Sequence, residues 1–409
     1  MTGLRGSAAE AVCRPVVGLG KGQHVNVKTS PAFLVFSDDW GEHPSSCQHI
    51  FKHIARRHRV VWVNTVGLRV PRPTRVDFEK ALVKLKKMLR KSAHGPAVGH
   101  SDAPLEVLQP FMLPFVKCPG VNTVNRFFVL RAVRGALARA GIESPILVIT
   151  APNACDYIGC CGEAKSVYYC VDDFSEWPGL DKGLVRNMED ALVSRADRFI
   201  ATSQLLYDRI AEHGKEVLLL SHGVDAEFFA EAANGEHALL DRIPKPRVGY
   251  FGLFDDRSDL QLLSEVARSL SDISFVITGT VQADVARLRS LGNVYFTGSV
   301  PYEELPSLSM GFDICMLPYK INRLTDAIQP LKIKEYLATG KPVISTRLKE
   351  AVTLEDYLDI AETAEEWVSC IGERLGGLAD EVKSRRAVFL SHESWQAKSR
   401  RFLDHCLKE

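Results

Sequence analysis

Short apolar runs alternate with segments of helical period along most of this chain, and this alternation limits the fold more than any other feature. Predicted strands cover residues 33–36, 59–63, 146–149, 166–171, 198–201, 217–220, 247–251, 274–278, 294–296, 314–317 and 342–345. Continuous apolar strands between amphipathic helices are typical of parallel sheets that helices cover on both faces. The sequence therefore predicts an α/β protein.

A linker divides this pattern into two halves. Residues 230–246 are rich in Ala and Glu and contain two prolines, Pro244 and Pro246, just before a new strand. A chain of 409 residues also suits two domains better than one core. We predict two doubly wound, Rossmann-like domains at 31–232 and 245–385, facing each other across a cleft. We expect C-terminal helices at 386–409 to pack back on the first domain and residues 1–30 to be a poorly ordered extension.

Composition and charge exclude several classes of protein. The net charge of +1 gives the whole chain no electrostatic preference for nucleic acid. The sequence contains no run of 18 apolar residues, so it predicts no transmembrane helix. Charged residues among the first 30 argue against a secretion signal. The ten cysteines include no CxxC pair, and no histidine with ligand spacing accompanies them. These features favour a reduced, cytoplasmic protein without a metal or other cofactor.

Three predicted strands of the second half end in glycine, at Gly252, Gly279 and Gly298. A glycine at the end of a strand lets the backbone approach a ligand closely, although a tight turn alone can also explain it. Ligands of doubly wound sheets bind at the carboxyl ends of the strands. Gly252 and Gly279 are therefore candidate binding residues.

One predicted helix of the second half carries the strongest signal. Pro330 stands where this helix would begin and Gly340 where it would end. Its N-terminus would offer free amides near Leu331 and Lys332 together with the positive end of the helix dipole, which suits a diphosphate. Glu335, one turn further on, is placed to accept hydrogen bonds from a pair of ribose hydroxyls. The alternative is an ordinary helix whose Glu and Lys are solvated.

The sequence of this helix, residues 330–344, resembles the donor-binding helix of GT-B glycosyltransferases related to glycosyltransferase family 4. Residues 221–229, Ser-His-Gly-Val-Asp-Ala-Glu-Phe-Phe, are similar to the turn that ends the first domain in that family. The resemblance extends from about Phe33 and is strongest to enzymes of polysaccharide assembly, of the teichuronic-acid and glucuronosyltransferase types. It implies transfer of a sugar, without a metal, from a nucleotide-sugar donor such as a UDP-sugar to a saccharide or lipid-linked acceptor.

One position departs from the family pattern. Members typically have a second glutamate, in contact with the donor sugar, eight residues before the position of Glu335, and Ala327 stands there in this chain. The ribose role that the resemblance implies for Glu335 is unaffected, but the identity of the sugar and the stereochemical outcome, inverting or retaining, are both open. Gln329 and Lys332 are candidate substitutes, and Arg257 is a further candidate for the phosphates.

Acidic residues follow two predicted strands of the first half. Asp38, Asp39, Trp40 and Gly41 follow the first strand, where the resemblance implies an acceptor site, although a surface turn with a capping serine is the alternative. Asp172 and Asp173 follow the strand at 166–171 and are candidates for a general base, with a helix-capping role as the alternative. His222 ends another strand and is a candidate for contact with donor or acceptor. Adjacent acids on a strand project in opposite directions and chelate metals poorly.

A basic segment interrupts the first half. Residues 69–91 contain nine Arg or Lys and two acids, and positions 78, 82, 85 and 89 place Phe or Leu on one helical face. Such a helix can lie on anionic lipid, which predicts a peripheral location at the inner face of the cell membrane. A core helix with a solvated lysine face is the alternative.

Two other functions fit the same fold. A nucleotide-sugar epimerase would act on the donor alone and would leave the basic segment unexplained. A non-catalytic nucleotide-sugar-binding subunit is favoured by Ala327. The lack of a GxGxxG motif after any predicted strand argues against an oxidoreductase.

Overall fold

The computed structural model describes residues 30–41, 45–65, 102–113, 120–230 and 235–408, together with the backbone of residues 93–94. The predicted extension before Ser30 and the basic segment 69–91 lie outside the described residues. Residues Pro31–Glu409 form one compact unit. Two parallel-stranded sheets with flanking helices make up this unit, as the alternating pattern predicts.

The first sheet has eight strands in the order β3-β4-β2-β1-β5-β6-β7-β8, all parallel except for the antiparallel pair β3–β4. Its strands are β1 Phe33–Ser37, β2 Val60–Asn64, β3 Ala93–His94, β4 Glu106–Leu108, β5 Ile146–Ile149, β6 Lys165–Cys170, β7 Arg198–Ala201 and β8 Val217–Leu219. Every residue of β1 and β2 is buried, because hydrophobic clusters cover both faces of the sheet. Strand β4 does not show a continuous apolar run, because it contains Glu106, which is buried and forms an ion pair with Arg139.

The second sheet has six parallel strands in the order β11-β10-β9-β12-β13-β14. Its strands are β9 Arg247–Phe251, β10 Ser274–Thr278, β11 Val294–Gly298, β12 Ile314–Leu317, β13 Val343–Ser345 and β14 Asp359–Ile360. One hydrophobic cluster surrounds this sheet. The two-residue strand β14 is too short to show an apolar run, so it was not predicted.

Helices connect the strands on both faces of each sheet. In chain order they are α1 Ser46–Ala55, α2 Val121–Arg139, α3 Lys182–Arg195, α4 Gln204–Ala211, α5 Ala226–Ala230, α6 Leu260–Ser269, α7 Ala286–Arg289, α8 Leu305–Met310, α9 Arg323–Ala327, α10 Leu331–Ala338, α11 Lys349–Val352, α12 Ala364–Arg374, α13 Asp380–His392 and α14 Trp395–Leu407. Side-chain caps set several N-termini; Ser45, for example, accepts from Gln48 N at the start of α1.

The C-terminal helices divide between the two sheets. Helix α14 packs on α1, and its Phe402 contacts Phe51 and Tyr169 of the first half. Helix α13 instead stays with the second half, because the buried Arg386 donates to the carbonyls of Lys341 and Tyr357. Packing on the first half therefore starts after α13, later than the predicted boundary at residue 386.

Candidate active site

The carboxyl ends of the two sheets meet. Ser203, which caps α4 in the first half, donates to the carbonyl of Ala327 at 2.8 Å, and the amide of Gln204 donates to Glu350 at 2.9 Å. Leu331, at the start of α10, packs against the hydrophobic cluster of the first sheet. The two halves therefore touch beyond the carboxyl ends of their sheets, where the predicted candidate Leu331 lies.

Helix α10 begins and ends where its proline and glycine predict. Pro330 is its extended N-cap residue, and no side chain caps this N-terminus. Gly340, just beyond the C-cap Thr339, has φ +74°, which a glycine adopts without strain. The N-terminus of α10 thus keeps amide groups and a positive dipole end for an anion.

Gly252 and Gly279 form a close backbone contact beside α10. A Cβ atom on Gly279 would lie 2.0 Å from the carbonyl oxygen of Gly252, and one on Gly252 would lie 2.3 Å from Lys332 Cε. Their φ angles of +120° and +137° also favour glycine. Both positions therefore require glycine, and the Lys332 side chain lies directly on Gly252.

Two cations surround Tyr319 next to this contact. Lys332 Nζ donates to Tyr319 Oη at 3.3 Å, and the Arg257 guanidinium lies 5.6 Å from the centre of the Tyr319 ring. Arg257 is held in place by Asp255, at 2.9 Å from Nε. Burial by itself would raise the pKa of Tyr319, but the charges of Lys332 and Arg257 lower it below its ordinary value. Lys332 and Arg257 therefore place positive charge beside the N-terminus of α10, and Asp255 balances part of it.

Glu335 is buried one turn into α10. Burial raises the pKa of Glu335 to about 7, although the charge of Lys332 opposes the rise. Tyr302 donates to Glu335 Oε1 at 3.4 Å and stacks on Phe228, with 5.1 Å between the ring centres. Among the described residues this carboxylate has few donors, so it has capacity to accept hydrogen bonds from a ligand.

Asp172 lies at the end of β6, on the opposite side of the boundary. Burial raises its pKa to about 6, while a hydrogen bond from Trp177, the amide of Asp173 and the charge of Arg257 act in the other direction. Arg257 of the second half therefore lies near enough to Asp172 for its charge to act on this carboxylate. The pKa and the placement suit a general base at neutral pH.

Asp173, the second candidate for the base, has a different task. Its Oδ1 accepts from the amide and hydroxyl of Ser175, and its Oδ2 forms an ion pair with Arg209 at 2.7 Å. Arg209 also pairs with the buried Glu189. Both oxygens of Asp173 are thus engaged in capping and in a buried charge network, which favours Asp172 over Asp173 as the candidate base.

His222 lies where the chain crosses between the halves. Its Nδ1 is 2.6 Å from Ser46 Oγ, and its amide donates to Gln329 Oε1 at 3.1 Å. Burial and the nearby lysines 334 and 398 lower its pKa to about 3, so the ring is neutral at physiological pH. Gln329 and His222 bind each other here, and the Gln329 side-chain oxygen is therefore occupied in this structure.

Lys334, the neighbour of Glu335 on α10, anchors this helix in a charge cluster that the sequence did not indicate. The buried Lys334 donates to Glu393 and to the carbonyl of His222, and Lys398 Nζ lies 2.8 Å from Glu393 Oε1. Burial lowers the pKa of Lys334 to about 8. Glu393 stands in the turn that leads back to the first half, so this cluster fixes α10 at the point where the chain recrosses.

The loop after β1 is organised by Gln48 of α1. Its side chain donates to Asp38 Oδ2 at 2.9 Å and to the carbonyl of Asp39, and it accepts from the amide of Gly41 at 2.9 Å. Asp38 also accepts from the hydroxyls of Ser37 and Ser45, and burial raises its pKa. Asp38 therefore holds the loop together.

Asp39 and Trp40 differ from Asp38. Asp39 Oδ1 is buried and has no hydrogen-bond partner in the part of the chain that the structure describes. Trp40 packs edge-on against Trp62 at 4.7 Å, and its amide donates to Asn64. Of the four predicted acceptor residues, Asp39 is the one whose side chain has an unused acceptor atom.

The sequence did not indicate three residues that contact the candidates: Tyr319, Tyr302 and Gln48. Tyr319 follows β12 and Tyr302 follows β11, so a search of all polar residues just beyond the strand ends finds both. Gln48 lies inside a helix, and nothing in its sequence context indicates that it reaches the loop.

The part of the chain that the structure describes contains neither a metal-binding cluster nor a membrane-spanning helix. No group of three or more His, Cys, Asp or Glu side chains there could hold a metal ion. None of the helices described is long and apolar enough to cross a membrane.

The fold is that of the GT-B glycosyltransferases. Sucrose-phosphate synthase from Thermosynechococcus elongatus superposes with a TM-score of 0.65 at 15% identity, over 91% of this chain and 98% of the other. Anabaena HepE, solved in complex with UDP and glucose, superposes with a TM-score of 0.61 at 13% identity, over the same shares. These likenesses confirm the predicted architecture of two Rossmann-like domains.

Comparison of sequences also bears on the second half. Residues 245–375 match the model of the family described as glycosyl transferases group 1. The chain is also 26% identical over 237 residues to the putative teichuronic acid biosynthesis glycosyltransferase TuaH of Bacillus subtilis. The match covers 54% of this chain and 59% of that relative.

Proposed function

We propose that this protein is a metal-independent glycosyltransferase that moves a sugar from a nucleotide-sugar donor to a saccharide or lipid-linked acceptor. The observation that carries the proposal is the anion site beside α10: an uncapped helix N-terminus, two glycines in close contact and the cations Lys332 and Arg257. A diphosphate matches this combination of amides and cations. The family match of the second half supports the same reading.

The donor diphosphate binds in this proposal at the N-terminus of α10, between Gly252, Gly279 and Lys332. Glu335 then accepts hydrogen bonds from the ribose hydroxyls, which favours its ionised form. Arg257 faces the phosphates and stabilises the charge that develops as the diphosphate leaves. A UDP-sugar is the preferred donor, because HepE is solved with UDP and glucose in the same fold.

Asp172 is the general base of the proposed reaction. Its carboxylate takes the proton of the acceptor hydroxyl as the acceptor oxygen bonds to the anomeric carbon of the sugar. The bond from that carbon to the phosphate oxygen breaks, and the nucleoside diphosphate leaves with the electron pair. A pKa of about 6 leaves Asp172 mostly ionised at pH 7 while it stays a useful proton acceptor.

The acceptor is proposed to bind at the loop after β1, where the unpaired Asp39 Oδ1 can accept from a hydroxyl. Polysaccharide or glycoconjugate synthesis at the cytoplasmic face of the membrane is the proposed setting. The similarity to the teichuronic acid relative supports it. Attachment through the basic segment 69–91 remains a prediction, because that segment lies outside the described residues.

Binding and turnover measured separately test the proposal. Thermal shift with UDP-, GDP- and dTDP-sugars is compared for the wild type, Glu335→Gln and Asp172→Asn, and nucleoside diphosphate release is then measured with saccharide acceptors. We expect a base-selective rise in Tm that Glu335→Gln loses and Asp172→Asn keeps, and turnover that Asp172→Asn loses.

Three other outcomes would contradict the donor site or favour a different function. No rise in Tm with any nucleotide-sugar contradicts the donor site. Conversion of the donor to an isomer without acceptor indicates an epimerase. Base-selective binding without turnover on any acceptor favours a binding subunit.

A further inference from the structure

A large open groove lies on the first half, away from α10. It holds a volume of about 1170 Å³ between α2 and the chain that follows β4. The lining residues are Leu108, Pro110, Phe111, Thr123, Arg126, Phe127, Phe128, Leu130, Arg131, Ala132, Arg134, Gly135 and Arg139, and we call it the Phe/Arg groove.

Exposed aromatic rings form the apolar part of the Phe/Arg groove. Phe127 is 64% exposed, and Phe128 and Phe111 are 40% and 36% exposed. Phe128 contacts both of the others edge-on, at 5.4 Å and 5.5 Å between ring centres. Three adjacent exposed phenylalanines are unfavourable in water, so a partner that covers them gains free energy.

Arginines form the polar part of the Phe/Arg groove. Arg126, Arg131, Arg134 and Arg139 line it, and none of the described lining residues is acidic. Arg139 is neutralised by Glu106 at 2.6 Å, whereas Arg131 and Arg134 form no ion pair with a described residue. The groove therefore selects a partner that is apolar and negatively charged at once.

The charge also decides between possible occupants. The apolar residues of the chain's own segment 69–91 match the phenylalanines in chemistry, but that segment carries nine basic residues and two acids and would be repelled by the arginines. A bilayer with anionic headgroups has the required combination, because aromatic rings lie well at its interface while arginines contact phosphate. We propose that the Phe/Arg groove docks the protein on an anionic lipid bilayer.

The position of the groove relates it to the proposed acceptor loop. Asn64 accepts from the amide of Trp40 at 3.1 Å and donates to Gln109 Oε1 at 3.0 Å. Pro110 and Phe111, the next two residues, line the groove. A bilayer docked there lies at the same edge of the first sheet as the acceptor loop, which suits an acceptor with a lipid anchor. This last step rests on the proposed function, whereas docking itself does not.

Sedimentation of the full chain with vesicles tests the docking. Vesicles of neutral phosphatidylcholine are compared with vesicles that also contain anionic phosphatidylglycerol, for the wild type, Phe127→Ser and the double variant Arg131→Gln/Arg134→Gln. We expect binding to the anionic vesicles only, weakened about fivefold for each arginine removed and further reduced by added salt. Phe127→Ser should weaken binding without changing its dependence on salt.

Matched controls lie on α13 of the second half. Val388 is as exposed as Phe127, at 64%, so Val388→Ser and Arg385→Gln remove the same kinds of group from another surface. These controls should bind vesicles like the wild type. An unchanged Tm and an unchanged donor-induced shift show that the groove variants fold.

Three outcomes overturn the proposal. Wild-type binding by the groove variants would assign any membrane contact to another segment, such as 69–91. Equal binding to neutral vesicles would remove the role of the arginines. A dimer without lipid that the groove variants dissociate would identify a second copy as the occupant. Failure of the donor shift with vesicle binding intact would contradict only the proposed function.

Discussion

The two sides of the cleft differ in how directly their sequences indicate their chemistry. On the second-half side, the residues predicted to bind a diphosphate converge: Gly252 contacts both Gly279 and Lys332, and Arg257 lies beside Tyr319. On the first-half side, Asp38 and Asp173 hold loops together, whereas burial raises the pKa of Asp172 into the range that suits a general base.

The difference has a physical cause. The features of α10 follow from helix geometry, because a proline, a glycine and their spacing determine where the free amides lie. An aspartate just after a strand has two competing uses, since the same short side chain caps a turn or acts as a base. Its sequence context is similar in both cases. Substitutions on the two sides should therefore separate binding, catalysis and stability.

The largest effect is expected for Asp172→Asn, which removes the proposed base. We predict that kcat falls about 10²–10⁴-fold, because an amide cannot accept the proton. In the wild type, kcat should rise with pH through about 6, since only the ionised carboxylate is active. The measurement is a pH profile of kcat at saturating donor, where Glu335 is already bound to ribose.

Asp173→Asn is the matched control for this prediction, because the two residues are adjacent. It should leave kcat within a few-fold of the wild type. A similar fall in kcat for both variants would mean that the acidic pair acts through the structure of the loop.

Glu335→Gln should weaken donor binding by about 10–100-fold, the usual range for a lost hydrogen bond to a charged group. Without donor the same variant should be more stable than the wild type at high pH. Folding raises the pKa of Glu335 from 4.5 to about 7, so ionisation opposes folding as pH rises through this range. Thermal melting between pH 4.5 and 8 and titration with donor check both results.

Glu303→Gln controls for a general effect of charge, because Glu303 is exposed in the neighbouring loop. It should change neither donor affinity nor the pH dependence of melting. Unaltered donor binding by Glu335→Gln would remove Glu335 from the site.

The amino-acid sequence predicts most of the fold of this protein but only part of its candidate site. The two-sheet fold was predictable because buried parallel strands such as Phe33–Ser37 are continuously apolar. The strands Glu106–Leu108 and Asp359–Ile360 could not be predicted in this way. The first contains a buried glutamate, and the second has only two residues. Tyr319 and Gln48 reach the site through tertiary contacts, which no local pattern records.

A moderate effect on stability is expected for Asp173→Asn. Its amide oxygen can still cap Ser175, but the ion pair with Arg209 is lost. Arg209 keeps Glu189 as a partner and is partly exposed, so we expect a loss of about 1–2 kcal/mol in the free energy of unfolding, below the range for a fully buried pair. Denaturant titration measures it.

Asp259→Asn is the corresponding control, because Asp259 caps α6 through its side chain in the same way. Since asparagine also caps helices well, this variant should unfold within a few tenths of a kcal/mol of the wild type. Equal destabilisation of the two variants would assign the effect of Asp173 to capping and not to the ion pair.

The smallest effect is expected for Gln48→Ala, which tests whether the loop after β1 depends on the hydrogen bonds of the Gln48 side chain. The substitution removes the bonds to Asp38, Asp39 and Gly41, so the loop should loosen and the KM for acceptor should rise by about 3–10-fold, as for a single hydrogen bond of about 1 kcal/mol. Donor affinity should stay unchanged, because α10 is anchored separately through Lys334 and Glu393. Gln261→Ala, an exposed change on α6, is the control. A rise in the donor KM instead would show that the two sides of the cleft are coupled through His222, which contacts both Ser46 and Gln329.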